Sequence, residues 1–210
     1  MNFFGKRILL VGAHPDDIEL GCGAFLHQVQ PHNDVLCLTL SDNQKNPNLS
    51  DIVSEHFASF AVLGVPESKI ILEKFETRKF PEQRQDILEY LLKIRKDYSP
   101  DLVLVHTRSD IHQDHNVVTE ESLRAYRGTT VLGFDVVRSS YGFFPHFLVG
   151  VSEEDVDMKV KALSEYKTYH DKYYFNADLL RATMIRHGAL AEKKFAEGFD
   201  ILRIVADYYH

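Results

Sequence analysis

Four short, nearly unbroken apolar runs punctuate the first half of the chain, at residues 7–12 (Arg7-Ile8-Leu9-Leu10-Val11-Gly12), 34–40, 69–72 and 101–105. Runs of strand length without polar alternation suit strands covered on both faces, as in a parallel sheet. Between them, apolar positions recur at helical spacing over 18–30, 51–63, 81–98 and 114–127. Within 81–98, Ile87, Leu88, Leu91, Leu92 and Ile94 share one face, and Arg84, Glu89, Lys93 and Lys96 take the other. The second helix is predicted to stop at Leu63-Gly64-Val65-Pro66, where a glycine suits a left-handed cap and a proline bars continuation. This alternation predicts a Rossmann-like, doubly wound α/β fold with a mostly parallel sheet and helices on both faces. Beyond Gly128 the pattern loosens: 130–137 reads as one more strand and 153–174 as a long helix rich in lysine and tyrosine. No repeat, low-complexity tract or linker interrupts the chain, so residues 1–210 are expected to form a single domain.

Charge and composition remove several function classes. The formal charge is −7, and no basic stripe is present that would neutralise a run of phosphates, so nucleic acid is not an expected partner. The amino terminus, from Met1 and Asn2 on, runs straight into the first strand without the pattern of a signal peptide. No apolar run approaches the roughly 20 residues of a membrane-spanning helix, and a cytoplasmic protein is expected. The two cysteines, Cys22 and Cys37, lack Cys-x-x-Cys spacing and indicate neither a disulfide framework nor a thiolate zinc site.

Doubly wound sheets bind ligands beyond the carboxyl ends of their strands, and two clusters of ionisable residues fall there. Ala13-His14-Pro15-Asp16-Asp17-Ile18-Glu19-Leu20-Gly21 follows the first strand. Helix capping explains one of its carboxylates, but not a histidine placed directly behind a buried strand with two carboxylates after it. Asp110-Ile111-His112-Gln113-Asp114-His115-Asn116 follows the fourth strand. Alone it reads as an exposed loop with Asp114 as cap, whereas two His/Asp groups at neighbouring strand ends point to one metal or catalytic site. His27, His32, His56, His146, His170, His187 and His210 lack a companion acid cluster and are expected to have no site role; His106, directly after the fourth strand, is a candidate partner to a metal ligand. Gly21-Cys22-Gly23 lacks the third glycine of a dinucleotide fingerprint, so close helix packing is its expected role. Tyr166, Tyr169, Tyr173, Tyr174 and Phe175 are expected to pack in the core or at a subunit contact, and Arg138, Tyr141 and Phe143 are candidates for a pocket rim.

Taken together, the clusters resemble the signatures of the PIG-L/LmbE-like N-acetylglucosaminyl deacetylases, the first from Ala13 to Gly23 and the second as His112-Gln113-Asp114-His115. The likeness takes in Glu55, Leu63-Gly64-Val65 and Pro100-Asp101-Leu102-Val103-Leu104, and so covers more than the first half of the chain. The resemblance implies a Rossmann-like zinc hydrolase in which His14, Asp17 and His115 bind the metal. Asp16 would be the general base, a protonated His112 the electrophilic partner of the substrate carbonyl, and Asp114 the carboxylate orienting His112. Zinc is the implied ion, although such ligands also accept Fe²⁺. The implied partner is a small-molecule N-acetylated amino sugar of the N-acetylglucosamine type, free or nucleotide-, lipid- or glycoside-linked, and a homo-oligomer is ordinary for the family. Many members carry Thr-Asp-Gly after the second strand and an arginine before the equivalent of Glu55; this chain has Leu40-Ser41-Asp42-Asn43 and no such arginine. Arg78 and Asn43 are therefore the candidate substrate contacts. Two rival readings remain: a metal-dependent phosphoesterase, which needs a second metal about 3.5–4 Å from the first, and a non-catalytic metal- or nucleotide-binding module, which leaves Asp16 and His112 without a task.

Overall fold

The five apolar runs become five parallel strands: β1 (Arg7–Gly12), β2 (Asp34–Thr39), β3 (Ile70–Leu72), β4 (Leu102–His106) and β5 (Thr130–Phe134). The computed structural model describes residues 3–43 and 45–206; Met1 and Asn2, read above as the start of a chain without a signal peptide, and His210 lie outside them. The predicted helices appear as α1 (Asp17–Val29), α2 (Ile52–Val62), α3 (Arg84–Tyr98) and α4 (Gln113–Ala125). Gly64, at φ 78°, takes the left-handed conformation expected of it after α2. Successive β1 side chains point to opposite faces. Ile8 and Leu10 join a core with α1 and α2, and Leu9 and Val11 join one with α3 and α4, all fully buried. The unbroken apolar run of β1 is thus the mark of a strand packed on both sides.

The carboxyl-terminal third departs from expectation. The helix predicted over 153–174 ends early as α5 (Glu153–Leu163), followed by two short 3₁₀ turns, Lys167–Tyr169 and Tyr173–Phe175. Ser164 donates its hydroxyl to the Lys161 carbonyl at 2.6 Å, competing with the helical ladder. Tyr166 is drawn into the core, where its hydroxyl donates to Glu19 at 2.6 Å. Three elements went unpredicted: β6 (Phe147–Gly150), α6 (Ala177–Leu190) and β7 (Ala196–Arg203). β6, Phe147-Leu148-Val149-Gly150, is a short, half-buried edge strand, and β7 carries Glu197, Gly198 and Asp200 within it, which interrupt its apolar pattern. β7 runs antiparallel to both β5 and β6, giving the sheet order β3-β2-β1-β4-β5-β7-β6.

Helix α1 is interrupted at Cys22, whose φ of −151° and ψ of 30° are not helical. In an unbroken helix the Ala24 N–H would pair with the Leu20 carbonyl. Here the N–H groups of Ala24 and Phe25 donate to Glu197 from β7 at 3.2 and 2.6 Å, and Lys159 of α5 donates to the Leu20 carbonyl at 2.7 Å and to Glu197 at 2.6 Å. A buried ion pair therefore splices the two halves of α1. As expected, the neighbouring glycines serve close packing: a Cβ on Gly21 would stand 2.2 Å from the Phe134 ring, and one on Gly23 would stand 3.2 Å from Lys159. Among the described residues no helix is long and apolar enough to cross a membrane.

Candidate active site

β1 and β4 lie side by side, and from them the sheet is built outward in opposite directions, which makes their carboxyl ends the topological switch point. Both predicted clusters open there. The β1–α1 turn is tight: the backbone N–H groups of Ala13 and His14 donate to Asp17 Oδ2 at 3.1 and 2.8 Å. Asp16 occupies the N-cap position of α1 at φ 93°, a region L-residues rarely adopt, yet its side chain makes no capping hydrogen bond. Helix capping thus explains neither carboxylate.

The rings of His14 and His115 each turn one nitrogen to a buried carboxylate. His14 Nε2 lies 3.0 Å from Asp114 Oδ2, and His115 Nδ1 lies 2.8 Å from Asp110 Oδ2. The remaining nitrogens face one another, with His14 Nδ1 3.3 Å from His115 Nε2. Asp17 completes the triangle, 3.4 Å from each through its two oxygens. Tetrahedral ligands held about 2.0–2.1 Å from a zinc ion stand about 3.3–3.4 Å apart, so this donor set has the span of a metal site. His112 stacks on His115 at 4.4 Å between centroids, and His106 does so on the other side at 3.8 Å. The donors that could hold a metal fall into the groups His14–His112–His115 and Asp17–His106–His115. His106 Nε2 accepts the Ala13 N–H at 3.2 Å, which occupies the lone pair a metal would need, and its stacking makes it a support for His115.

Electrostatics divide the cluster. Burial disfavours charge on His14, but hydrogen bonds to Asp114 and Asp17 outweigh it and raise its pKa to about 9. A metal entering the triangle would displace the proton on Nδ1. Burial likewise opposes ionisation of Asp17, yet His115, His106 and His14 hold it well below the usual carboxylate range. Asp16, one residue away, goes the other way: burial, Asp17 and Glu19 push its carboxyl well above that range. Burial and the neighbouring His115 and His14 lower His112 to about 4. Its Nδ1 accepts the Asp114 N–H at 3.2 Å, so the ring is neutral with its proton on Nε2.

Two expectations change here. His112 is uncharged, and the Asp114 carboxylate orients His14 rather than His112. Asp114 is fully buried and also accepts the Arg78 N–H at 2.6 Å, tying the loop after β3 to the second cluster. Asp110, given no role by sequence reasoning, accepts from the His115 ring, the Ser139 hydroxyl and the His112 N–H. Its position five residues before His115 was the available signal.

The cluster floors an open cavity of about 750 Å³. Arg78 and Asn43 both line it, and Asn43 bridges Thr77 and Tyr169. Arg138 also lines it, whereas Tyr141 is 81% exposed and Phe143 packs near His187. Tyr169 and Tyr174 line the cavity instead of serving only as core, because the early end of α5 folds their segment over the strand ends.

Fold and site together define an α/β protein with a three-donor candidate metal centre at its switch point. The chain belongs to the PIG-L family: the family model for GlcNAc-PI de-N-acetylase matches residues 9–126. An Escherichia coli (strain K12) relative, "Uncharacterized deacetylase YaiS", is 32% identical over 171 residues, covering 78% of this chain and 91% of the relative. The N,N'-diacetylchitobiose deacetylase of Pyrococcus horikoshii shares the fold with a TM-score of 0.74 at 18% identity, covering 94% of this chain and 84% of that one. GalB, the 4-carboxy-2-hydroxymuconate hydratase of Pseudomonas putida KT2440, shares it equally, with a TM-score of 0.74 at 16% identity, covering 97% of this chain and 100% of that one.

Proposed function

We propose that this protein is a metal-dependent N-deacetylase that hydrolyses the acetamide of an N-acetylated amino sugar, with His14, Asp17 and His115 holding one metal ion. The observation that carries the reading is the paired orientation of the two histidines: each spends its outer nitrogen on a buried carboxylate and turns the other towards Asp17. Such carboxylate–histidine pairs fix the tautomer of metal ligands and raise their basicity. Family membership and the deacetylase relative support the chemistry. Zinc suits the donor set, and Fe²⁺ is compatible with it.

When bound, the metal supplies Lewis acidity, polarising the acyl carbonyl and lowering the pKa of water from about 15.7 towards about 7. The chain's own residues do the rest. Asp16, whose side chain makes no capping hydrogen bond and whose basicity is raised, takes the proton of the attacking water and returns it to the departing amine. His112 donates its Nε2–H to the oxyanion that develops on the acyl oxygen, and a neutral donor does so without a proton being lost. Asp114 and Asp110 position the two histidine ligands.

Hydration of a carbon–carbon double bond is a second reading, since a hydratase shares the fold. The phosphoesterase reading is disfavoured because the two potential metal groups share His115, which suits one metal better than two. The test is acetate release from a panel of N-acetyl amino sugars by metal-loaded wild type and Asp16→Ala. Release by wild type alone supports the reading; silence across the panel with metal bound contradicts it.

A further inference from the structure

Asp16 occupies a backbone conformation that has to be held. At φ 93° an L-residue is strained and persists only where its surroundings over-determine it. Both of its backbone polar groups are engaged. The carbonyl accepts the Leu20 N–H at 2.8 Å, and the N–H is received by the Tyr166 hydroxyl. The side chain, which makes no capping bond, is left to line the cavity. Tyr166 arrives from the turn that follows α5 and is 1% exposed.

The Tyr166 hydroxyl is saturated. A phenol has one proton to donate and lone pairs for two acceptor contacts. Its proton goes to Glu19 Oε1 at 2.6 Å. The contact with His56 Nδ1 at 3.0 Å then has the imidazole as donor, and the Asp16 N–H takes the remaining lone pair. Glu19 stands on α1 and His56 on α2, both buried, so one oxygen is fixed from three directions. The ring is held as well, stacked on Tyr169 and edge-on to Phe175. Core packing does not require this arrangement, because a phenylalanine would fill the same space. Burying a carboxyl and an imidazole around one hydroxyl is unfavourable for folding, and His56 Nε2 is left without a partner among the described residues. The hydroxyl they brace is the one that meets the Asp16 backbone.

We propose that Tyr166 is a positioning residue: its hydroxyl, braced by Glu19 and His56, holds Asp16 in the left-handed conformation that aims its carboxyl at the water attacking the acetamide. This rests on the deacetylase reading, in which Asp16 is the general base. Tyr166 does not line the cavity and acts through Asp16.

The experiment is a double-mutant cycle on acetate release from the panel of N-acetyl amino sugars, with metal-loaded wild type, Tyr166→Phe, Asp16→Asn and the double variant. Tyr126→Phe is the control: it removes an equally buried hydroxyl, bonded to the Leu91 carbonyl at 3.2 Å, at the opposite end of α4 from His115. Tyr166→Phe is expected to lower kcat about ten- to hundredfold, the scale of a misplaced catalytic group, with KM within about twofold and metal content unchanged. Tyr126→Phe should keep the wild-type kcat. In the Asp16→Asn background Tyr166→Phe should bring no further loss, because no base remains for it to aim. Losses that multiply in the double variant overturn the proposal, as does a wild-type kcat in Tyr166→Phe or an effect confined to KM or metal content. Should Tyr166→Phe not fold, Glu19→Met, which leaves the hydroxyl without its acceptor, goes through the same cycle with the same expectation. If wild type turns over no N-acetyl sugar, the deacetylase reading fails by itself. Crystal structures of wild type and Tyr166→Phe then decide the positioning role: Asp16 leaving the left-handed region upholds it, and an unchanged φ refutes it.

Discussion

Asp16 and Asp17 are neighbours in sequence with opposite electrostatics, and the division of labour at the site follows from that difference. Asp17 is surrounded by histidines that keep it ionised; Asp16 faces carboxylates and burial that raise its basicity. Replacing Asp16 with Asn should therefore leave metal content unchanged and lower kcat by about 10²–10⁴, the usual worth of general acid–base catalysis. Asp110→Asn should do the reverse, weakening metal affinity by about 10–100-fold through loss of its hold on His115. Direct metal titration of the two variants separates the roles. At this scale the sequence was informative where partners lie within a turn of one another, as with His14 and Asp17. It offered Arg138 as a candidate for the rim but was silent on its pairing with Tyr174, 36 residues away, which comes about only through the tertiary fold.

Among the elements, α1 positions the first cluster and depends on a splice from the far end of the chain. Removing one partner of the Lys159–Glu197 pair leaves the other charge buried, so Lys159→Met should destabilise the fold by about 3–5 kcal/mol in urea unfolding. The sequence gives this splice away only as a Phe-Ala-Glu-Gly-Phe pattern at 195–199, unreadable without knowing that α1 breaks at Cys22. A second contact anchors α2 to the segment after α5: Tyr166 donates to Glu19 and lies 3.0 Å from His56 Nδ1. Burial lowers the His56 pKa to about 3. The unfolded chain takes up a proton near pH 6.5 that the native state refuses, so this group's contribution to stability is present above that pH and is lost as pH falls. Burial also raises Glu19 to about 7, which works in the opposite sense over pH 7 to 4.5. The His56 part is isolated by difference. The stability gap between wild type and His56→Gln should shrink by up to about 2 kcal/mol between pH 6.5 and pH 5, at about 1.4 kcal/mol per pH unit. A gap that stays constant over that range contradicts the neutral buried imidazole.

For the whole molecule, the parallel half of the sheet was legible because β1, β2, β4 and β5 are buried on both faces and leave continuous apolar runs. The antiparallel edge was not, since β6 is only a short, half-buried strand and β7 mixes polar residues into its sequence. That legible half also carries both signature clusters, which is why the site was readable before the fold was complete. A metal bound at the switch point ties β1 to β4 and should stabilise the native state. At a free metal concentration 100-fold above Kd the gain is about 2.7 kcal/mol. At about 2–4 °C per kcal/mol for a chain of this size, chelation should lower Tm by roughly 5–10 °C. The measurement that bears most directly on the account is bound metal per chain after identical loading and washing of wild type, Asp16→Asn, His14→Ala and His115→Ala. One metal in the first two and none in the histidine variants is the predicted result; full occupancy in either histidine variant, or none in wild type, would contradict the site at the centre of this reading.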